Sequence, residues 1–94
     1  MFVISFDMVI ANAKRHHPKG SRQAYTDIET ALHTHGFERV QWSVFAAKDE
    51  NFANLILAVM ALKSLPWFGK AVKNIRAFRM EPGTDLTAIF TAES

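Results

Sequence analysis

Phe2-Val3-Ile4-Ser5-Phe6-Asp7-Met8-Val9-Ile10 opens the chain as an apolar run holding a single ionisable side chain. β-Branched and aromatic residues dominate it, so it reads as a strand over residues 2 to 11. Side chains alternate across a strand. Ile4, Phe6, Met8 and Ile10 therefore share one face, and Val3, Ser5, Asp7 and Val9 share the other. A carboxylate among apolar residues is costly to strip of water, unless a cation, a metal or a symmetry mate meets it. Asp7 is thus the first site candidate, the alternative being an Asp on the wet face of a half-exposed strand.

Working outward, the polar stretch Asn12 to Gly20, with Pro18 inside it, reads as a loop, and Ser21 as a helix N-cap. Ala24, Tyr25, Ile28, Ala31, Leu32 and His35 recur at helical spacing, and Gly36 is the expected stop. Phe37 to Val40 and Trp42 to Ala47 read as two strands. No Asn-Gly or Asp-Gly joins them, so a tight two-residue hairpin is not signalled, and one strand kinked near Gln41 is the alternative. A second helix starts at Asp49 or Asn51 and runs to about Leu65, where Pro66 ends it. It is apolar around nearly its whole circumference, which points to contact with a partner. Trp67 and Phe68 are expected to close the core, and Val72 to Met80 to form the last strand. Pro82-Gly83 then makes a turn, and Asp85 caps a short helix through Phe90.

The order β-α-β-β-α-β is the ferredoxin-like α+β plan: a four-stranded antiparallel sheet, two helices on one face, and here a short C-terminal extension. Residues 1–94 are expected to form one domain. With no cysteine, disulfides, thiolate nucleophiles and Cys-based zinc sites are excluded. The run Leu55 to Leu62 is far short of the roughly 20 residues that span a bilayer. No basic leader precedes the first apolar run, so a signal peptide is not expected. Net charge is only +2, but the bases cluster. Lys14, Arg15, His16, His17, Lys19 and Arg22 form one group; Lys70, Lys73, Arg76 and Arg79 form another. Such clusters suit an anionic partner, nucleic acid above all, or simply a solvated face.

If Ile4, Phe6 and Met8 face the helices, Asp7 lies on the open face of the sheet. Two copies packed sheet to sheet about a two-fold axis would bring their Asp7 carboxylates together, where a shared proton or a divalent cation such as magnesium would relieve the repulsion. Arg39, Gln41 and Ser43 occupy alternate positions and would share that face, Ser43 bonding a phosphate oxygen and Arg39 neutralising it. His16 and His17 either shuttle a proton or are solvated loop residues. Arg76 and Arg79 alternate out of phase, so at most one reaches the open face. Trp42 and Trp67 either stack on bases or belong to the core.

Several blocks resemble the virulence-associated protein D family: Ser5-Phe6-Asp7, Tyr25-Thr26-Asp27-Ile28, Gly36-Phe37-Glu38 with Gln41-x-Ser43-Val44-Phe45, and Trp67-Phe68 followed by Val72-x-x-Ile75-Arg76-Ala77-Phe78. The Asp7 and Gln-x-Ser-Val-Phe features also resemble the small CRISPR-associated ferredoxin-like nucleases. The resemblance implies a small bacterial endoribonuclease acting as a homodimer on single-stranded or messenger RNA, often as the cytoplasmic toxin of a toxin–antitoxin pair with a cognate antitoxin protein. It makes Asp7 the catalytic or magnesium-binding carboxylate and Ser43 its matching polar residue. Lys14, Arg15, His16, Lys19, Arg39 and Arg76 are the residues expected to meet RNA. Some relatives are non-catalytic scaffolds, so a dimer that binds nucleic acid or a protein without cutting is the alternative.

Overall fold

In the computed structural model, which describes residues 1–81, the alternation of the first run governs the architecture. Strand β1 (Phe2–Met8) buries Phe2, Ile4 and Phe6 against the helices, with Met8 packed at the edge of that cluster. Asp7 is exposed on the opposite face. The other strands are β2 (Glu38–Gln41), β3 (Val44–Ala47) and β4 (Val72–Arg79). Their order across the sheet is β2-β3-β1-β4, and every neighbouring pair is antiparallel. β1 and β2 are therefore parallel with β3 between them, and β3 and β4 are parallel with β1 between them. This is the split β-α-β arrangement of a ferredoxin-like domain.

The first crossover holds two helices, not one. Residues expected as a loop contain α1 (Ile10–His16), and the strand before it ends at Met8 instead of residue 11. Only Ala13 of α1 is buried, so the helix carries too little apolar pattern to announce itself. Its last turn holds Lys14, Arg15 and His16, where the carbonyl end of the helix favours cations. The long helix α2 (Gly20–His33) begins one residue before Ser21, and Ser21 does not cap it. The turn is closed instead by the Gly20 N–H donating to the His17 carbonyl (3.2 Å), with Gly20 at φ 87°.

At the far end of α2, Gly36 adopts φ 86°. Its N–H donates to His33 O (3.0 Å), while the Phe37 N–H donates to Leu32 O (3.0 Å), and Phe37 and Leu32 are both buried. This is the Schellman termination expected of that glycine. Helix α3 (Phe52–Lys63) starts at Asn51, whose side chain accepts from the Ala53 and Asn54 N–H groups. Leu55, Ala58 and Leu62 face the core, whereas Phe52, Ile56, Leu57, Val59 and Met60 are exposed. After Pro66 the chain forms a short α4 (Phe68–Ala71), and Trp67 and Phe68 are buried as expected. The turn expected at Pro82-Gly83 and the helix expected from Asp85 to Phe90 lie outside the described residues. Among the described residues, no helix is long and apolar enough to cross a membrane.

Candidate functional site

The end of the sheet that carries Asp7 is irregular on both sides. Between β1 and β4 the register shifts after Asp7, which pairs with Asn74 while Met8 pairs with Val72, leaving Lys73 as the extra residue. Between β2 and β3, Arg39 pairs with Phe45 and Gln41 with Val44, leaving Val40 extra. Both shifts lie towards the same end, because the Ser43 carbonyl accepts the Phe6 N–H (3.1 Å) beside Asp7. Bulges re-aim side chains and are frequent next to reactive sites.

The second bulge corrects one expectation. Arg39 and Gln41 stand opposite adjacent residues of β3, so they point to opposite faces. Gln41 shares the open face with Asp7; Arg39 does not. Its guanidinium lies on the helix side, donating to the Tyr25 carbonyl (3.4 Å), with Nε 3.5 Å from Glu29 Oε2. That approach provides charge attraction without hydrogen-bond geometry, and Arg39 Nε is the buried side-chain polar atom left without a bond among the described residues. The same guanidinium lies 4.5 Å from the Trp42 ring centroid, and Trp42 packs 4.7 Å from Tyr25. Trp42 is thus an exposed residue clamped to α2, not a core residue. Together these groups hold a tight two-residue turn, Trp42-Ser43. Among the described residues no non-glycine residue has positive φ, so the turn is not a primed type, and the adjacent bulge absorbs the mismatch in twist. Ser43 therefore sits in the turn beside the end of β1, not within a strand.

The open face around Asp7 carries Ser5, Asn74, Gln41 and Arg76, the last opposite Ser5. Arg79 stands opposite Phe2 on the helix side, 5.4 Å from its ring and 3.8 Å from Glu50. Val3, Val44, Ala46 and Phe78 form the apolar half of the open face. Among the described residues, none of Lys14, Arg15, Lys19, Lys70, Lys73 and Arg76 stands within ion-pair distance of a carboxylate. Among the same residues, no three His, Asp or Glu side chains gather as a protein metal cage would require. Glu38, the other carboxylate of the open face, lies opposite Ala46 and hence level with Val3, about 13 Å along the strand from Asp7. One chain thus offers a single carboxylate. Magnesium accepts that, because it retains waters and takes substrate phosphate as further ligands.

His17 also departs from expectation. It is not a solvated loop residue but is buried, with its ring edge-on to Trp67 (centroids 5.0 Å apart). The Lys19 N–H donates to Nδ1 (2.9 Å), so the proton resides on Nε2, which donates to Asp27 Oδ2 (2.6 Å). That hydrogen bond holds the Asp27 carboxyl below its ordinary value, and a second from Gln23 adds to it, while burial opposes both. Both ring nitrogens are occupied, so the imidazole fastens the α1–α2 connection and has no free lone pair for a substrate proton. His16 next to it is exposed.

The described residues form a ferredoxin-like domain with Asp7 exposed at the bulged end of the open face and Arg76 on the same face. Comparison with known proteins specifies the family. No protein-family model matches. The chain is 47% identical over 95% of its length to an endoribonuclease VapD homolog of Neisseria gonorrhoeae, covering 97% of that protein. It is 45% identical over 93% of its length to endoribonuclease VapD of Haemophilus influenzae, covering 94% of it, and 39% identical over 95% to endoribonuclease VapD of Dichelobacter nodosus, covering 96%. The chain belongs to the VapD family.

Proposed function

We propose that this protein is an endoribonuclease whose reactive centre is the Asp7 end of the open sheet face. The observation that carries the reading is the exposed carboxylate of Asp7 at a doubly bulged sheet end, in a chain that matches proteins named endoribonucleases over more than nine-tenths of its length. RNA is a polyanion, and the unpaired Lys14, Arg15 and Arg76 supply the charge to hold it. Single-stranded RNA can place a scissile phosphate on an open sheet more readily than a stiff duplex can.

In this reading Asp7 accepts the proton from the attacking hydroxyl, the Ser43 hydroxyl donates to a non-bridging phosphate oxygen, and Arg76 offsets the charge of the phosphorane. Asp7 is also the residue that would hold a magnesium ion, whose chemistry there would be Lewis-acid stabilisation and an acidified water. The family reading also includes a homodimer, with the apolar half of the open face packed on its counterpart, and a cytoplasmic toxin role with an antitoxin protein. The exposed apolar side of α3 supports a protein partner there, and it equally supports the second reading, a non-catalytic scaffold.

End-group analysis of RNA incubated with the purified protein tests the chemistry. A 5′-phosphate that disappears in excess chelator supports metal-assisted hydrolysis. A 2′,3′-cyclic phosphate formed in chelator assigns the attack to the 2′-hydroxyl. Intact but bound RNA would favour the scaffold.

A further inference from the structure

A cavity of about 460 Å³ opens on the helical side of the molecule, between the α1–α2 connection and the segment leading into α4. We propose that it is a nucleotide subsite, taking one base and phosphate of the RNA strand that crosses Asp7; this rests on the RNA-cleaving function proposed above. Its volume lies within the range of small-ligand pockets. The exposed Pro66, beside the exposed edge of the largely buried Trp67, gives it a small apolar wall against which the edge of a base can lie. Gln23 gives it an edge for hydrogen bonding. Its Nε2 is already donated to Asp27 (2.9 Å), which fixes the amide and leaves the carbonyl Oε1 free to accept from a base amino group. The Asp27 oxygens are both engaged, one by Gln23 and one by His17, so the carboxylate is tied back from the ligand.

His16, Lys19 and Lys70 line the same cavity. All three are exposed, and among the described residues neither lysine has a carboxylate partner within ion-pair distance. Cations converging on a cavity select an anion, and beside an apolar wall and a free amide acceptor the chemistry that fits is a nucleoside phosphate. The buried His17–Asp27 pair contributes by position. It fixes the Lys19 backbone through Nδ1 and so places that side chain at the cavity.

Along the chain, the cavity lining adjoins the segments that lead to the proposed reactive end. Lys70 immediately precedes Ala71, whose carbonyl accepts the Val9 N–H (2.8 Å), and Val9 lies two residues beyond Asp7. His16 lies at the other end of α1, roughly 9 Å along its axis from Ile10. In this proposal a strand leaving Asp7 on the open face follows Lys14 and Arg15 of α1 to the cavity on the helical side.

Trp42→Phe leaves Trp67 as the single tryptophan, and its emission can be titrated without any cleavage. Adenosine monophosphate should change the emission saturably, inorganic phosphate should bind about tenfold more weakly, and Lys19→Gln/Lys70→Gln should weaken the nucleotide by about tenfold without altering the melting temperature. In the presence of chelator, the nucleotide should also displace a labelled 2′-O-methyl oligoribonucleotide, which binds but has no free 2′-hydroxyl to attack its phosphate. No saturable response, or unchanged affinity in the double variant, would overturn the site. Phosphate binding as tightly as the nucleotide would remove the base pocket. Nucleotide binding without displacement would show a free-nucleotide site and refute the link to RNA. Because no arm reads cleavage, the cavity and the nuclease can fail separately.

Discussion

Asp27→Ala should destabilise the domain strongly, although Asp27 is only half-buried and lies on a surface helix. The reason is the group it leaves behind. The His17 ring is 6% exposed, its Nδ1 is taken by the Lys19 N–H, and its Nε2–H has Asp27 Oδ2 at 2.6 Å as acceptor. Deleting the acceptor strands a buried donor, at a cost of about 1–3 kcal/mol. In a domain of this size each kcal/mol moves the melting temperature by about 4–8 °C, so a loss of about 2 kcal/mol corresponds to a fall of roughly 8–16 °C. Asp27→Asn keeps an acceptor oxygen and forfeits mainly the charge assistance, so its loss should be about 1 kcal/mol or less. The pH dependence has a definite sign. The Asp27 carboxyl is held below its ordinary value of 3.8, chiefly by the His17 hydrogen bond. A depressed folded value contributes stability above the unfolded value and loses it as pH falls through the folded one. The advantage of wild type over Asp27→Asn should therefore persist at neutral pH and shrink below about pH 4. Melting curves of the three proteins at pH 7 and in acid provide the assay. A melting temperature for Asp27→Ala equal to wild type would refute the buried-donor argument. If Asp27→Asn melted normally yet lost about a hundredfold in RNA cleavage, the pair would act in catalysis and not as a fastener.

Trp42→Ala should loosen the turn that carries Ser43, since it deletes the ring under Arg39 and the packing on Tyr25; we expect about 1 kcal/mol, seen as a lower melting temperature and faster proteolysis in the β2–β3 turn. Lys14→Gln/Arg15→Gln should weaken binding to single-stranded RNA and lower the slope of log affinity against log salt by about 1.4, from two contacts of about 0.7 each, and an unchanged slope would remove both from the RNA path. Phe6→Ala should cost about 3–5 kcal/mol, because Phe6 is buried against Phe45 and Phe68, and denaturant unfolding would show it as a lower midpoint with a similar slope.

The sheet was legible because its core strand alternates cleanly from Ile4 to Asp7, although Val3 on the other face is buried as well. Ile4 and Phe6 alternate with Ser5 and Asp7, and the pleat admits only one assignment of faces. Gly36 and Asn51 could be read because a left-handed C′ position and an N-cap each demand particular residue types. The departures have one theme, which is geometry fixed by distant partners. α1 buries a single alanine, so periodicity had nothing to register. Ser21 lost its capping role to a turn built on His17. The Trp42-Ser43 turn lacks Gly and Asn, and is held by Arg39 and Tyr25 from outside the hairpin.

The placement of the candidate residues was legible only in part. Asp7 was visible because a carboxylate in an apolar run breaks its own pattern. Arg39 was misplaced because the extra Val40 inverts the facing of everything before it, and a bulge leaves no mark in a run of strand formers. His17 and Asp27 are ten residues apart and offered no motif. Their pairing depends on α1 turning the chain back onto α2.

The central claim is that Asp7 is the reactive carboxylate of a ribonuclease. The most direct test is incubation of single-stranded RNA with purified wild-type protein and with Asp7→Asn, with and without magnesium. Asp7 is exposed, so the variant should keep the wild-type melting temperature while cleaving about a hundredfold or more slowly. Equal cleavage by both proteins, or none by wild type under any condition that binds RNA, would contradict the account.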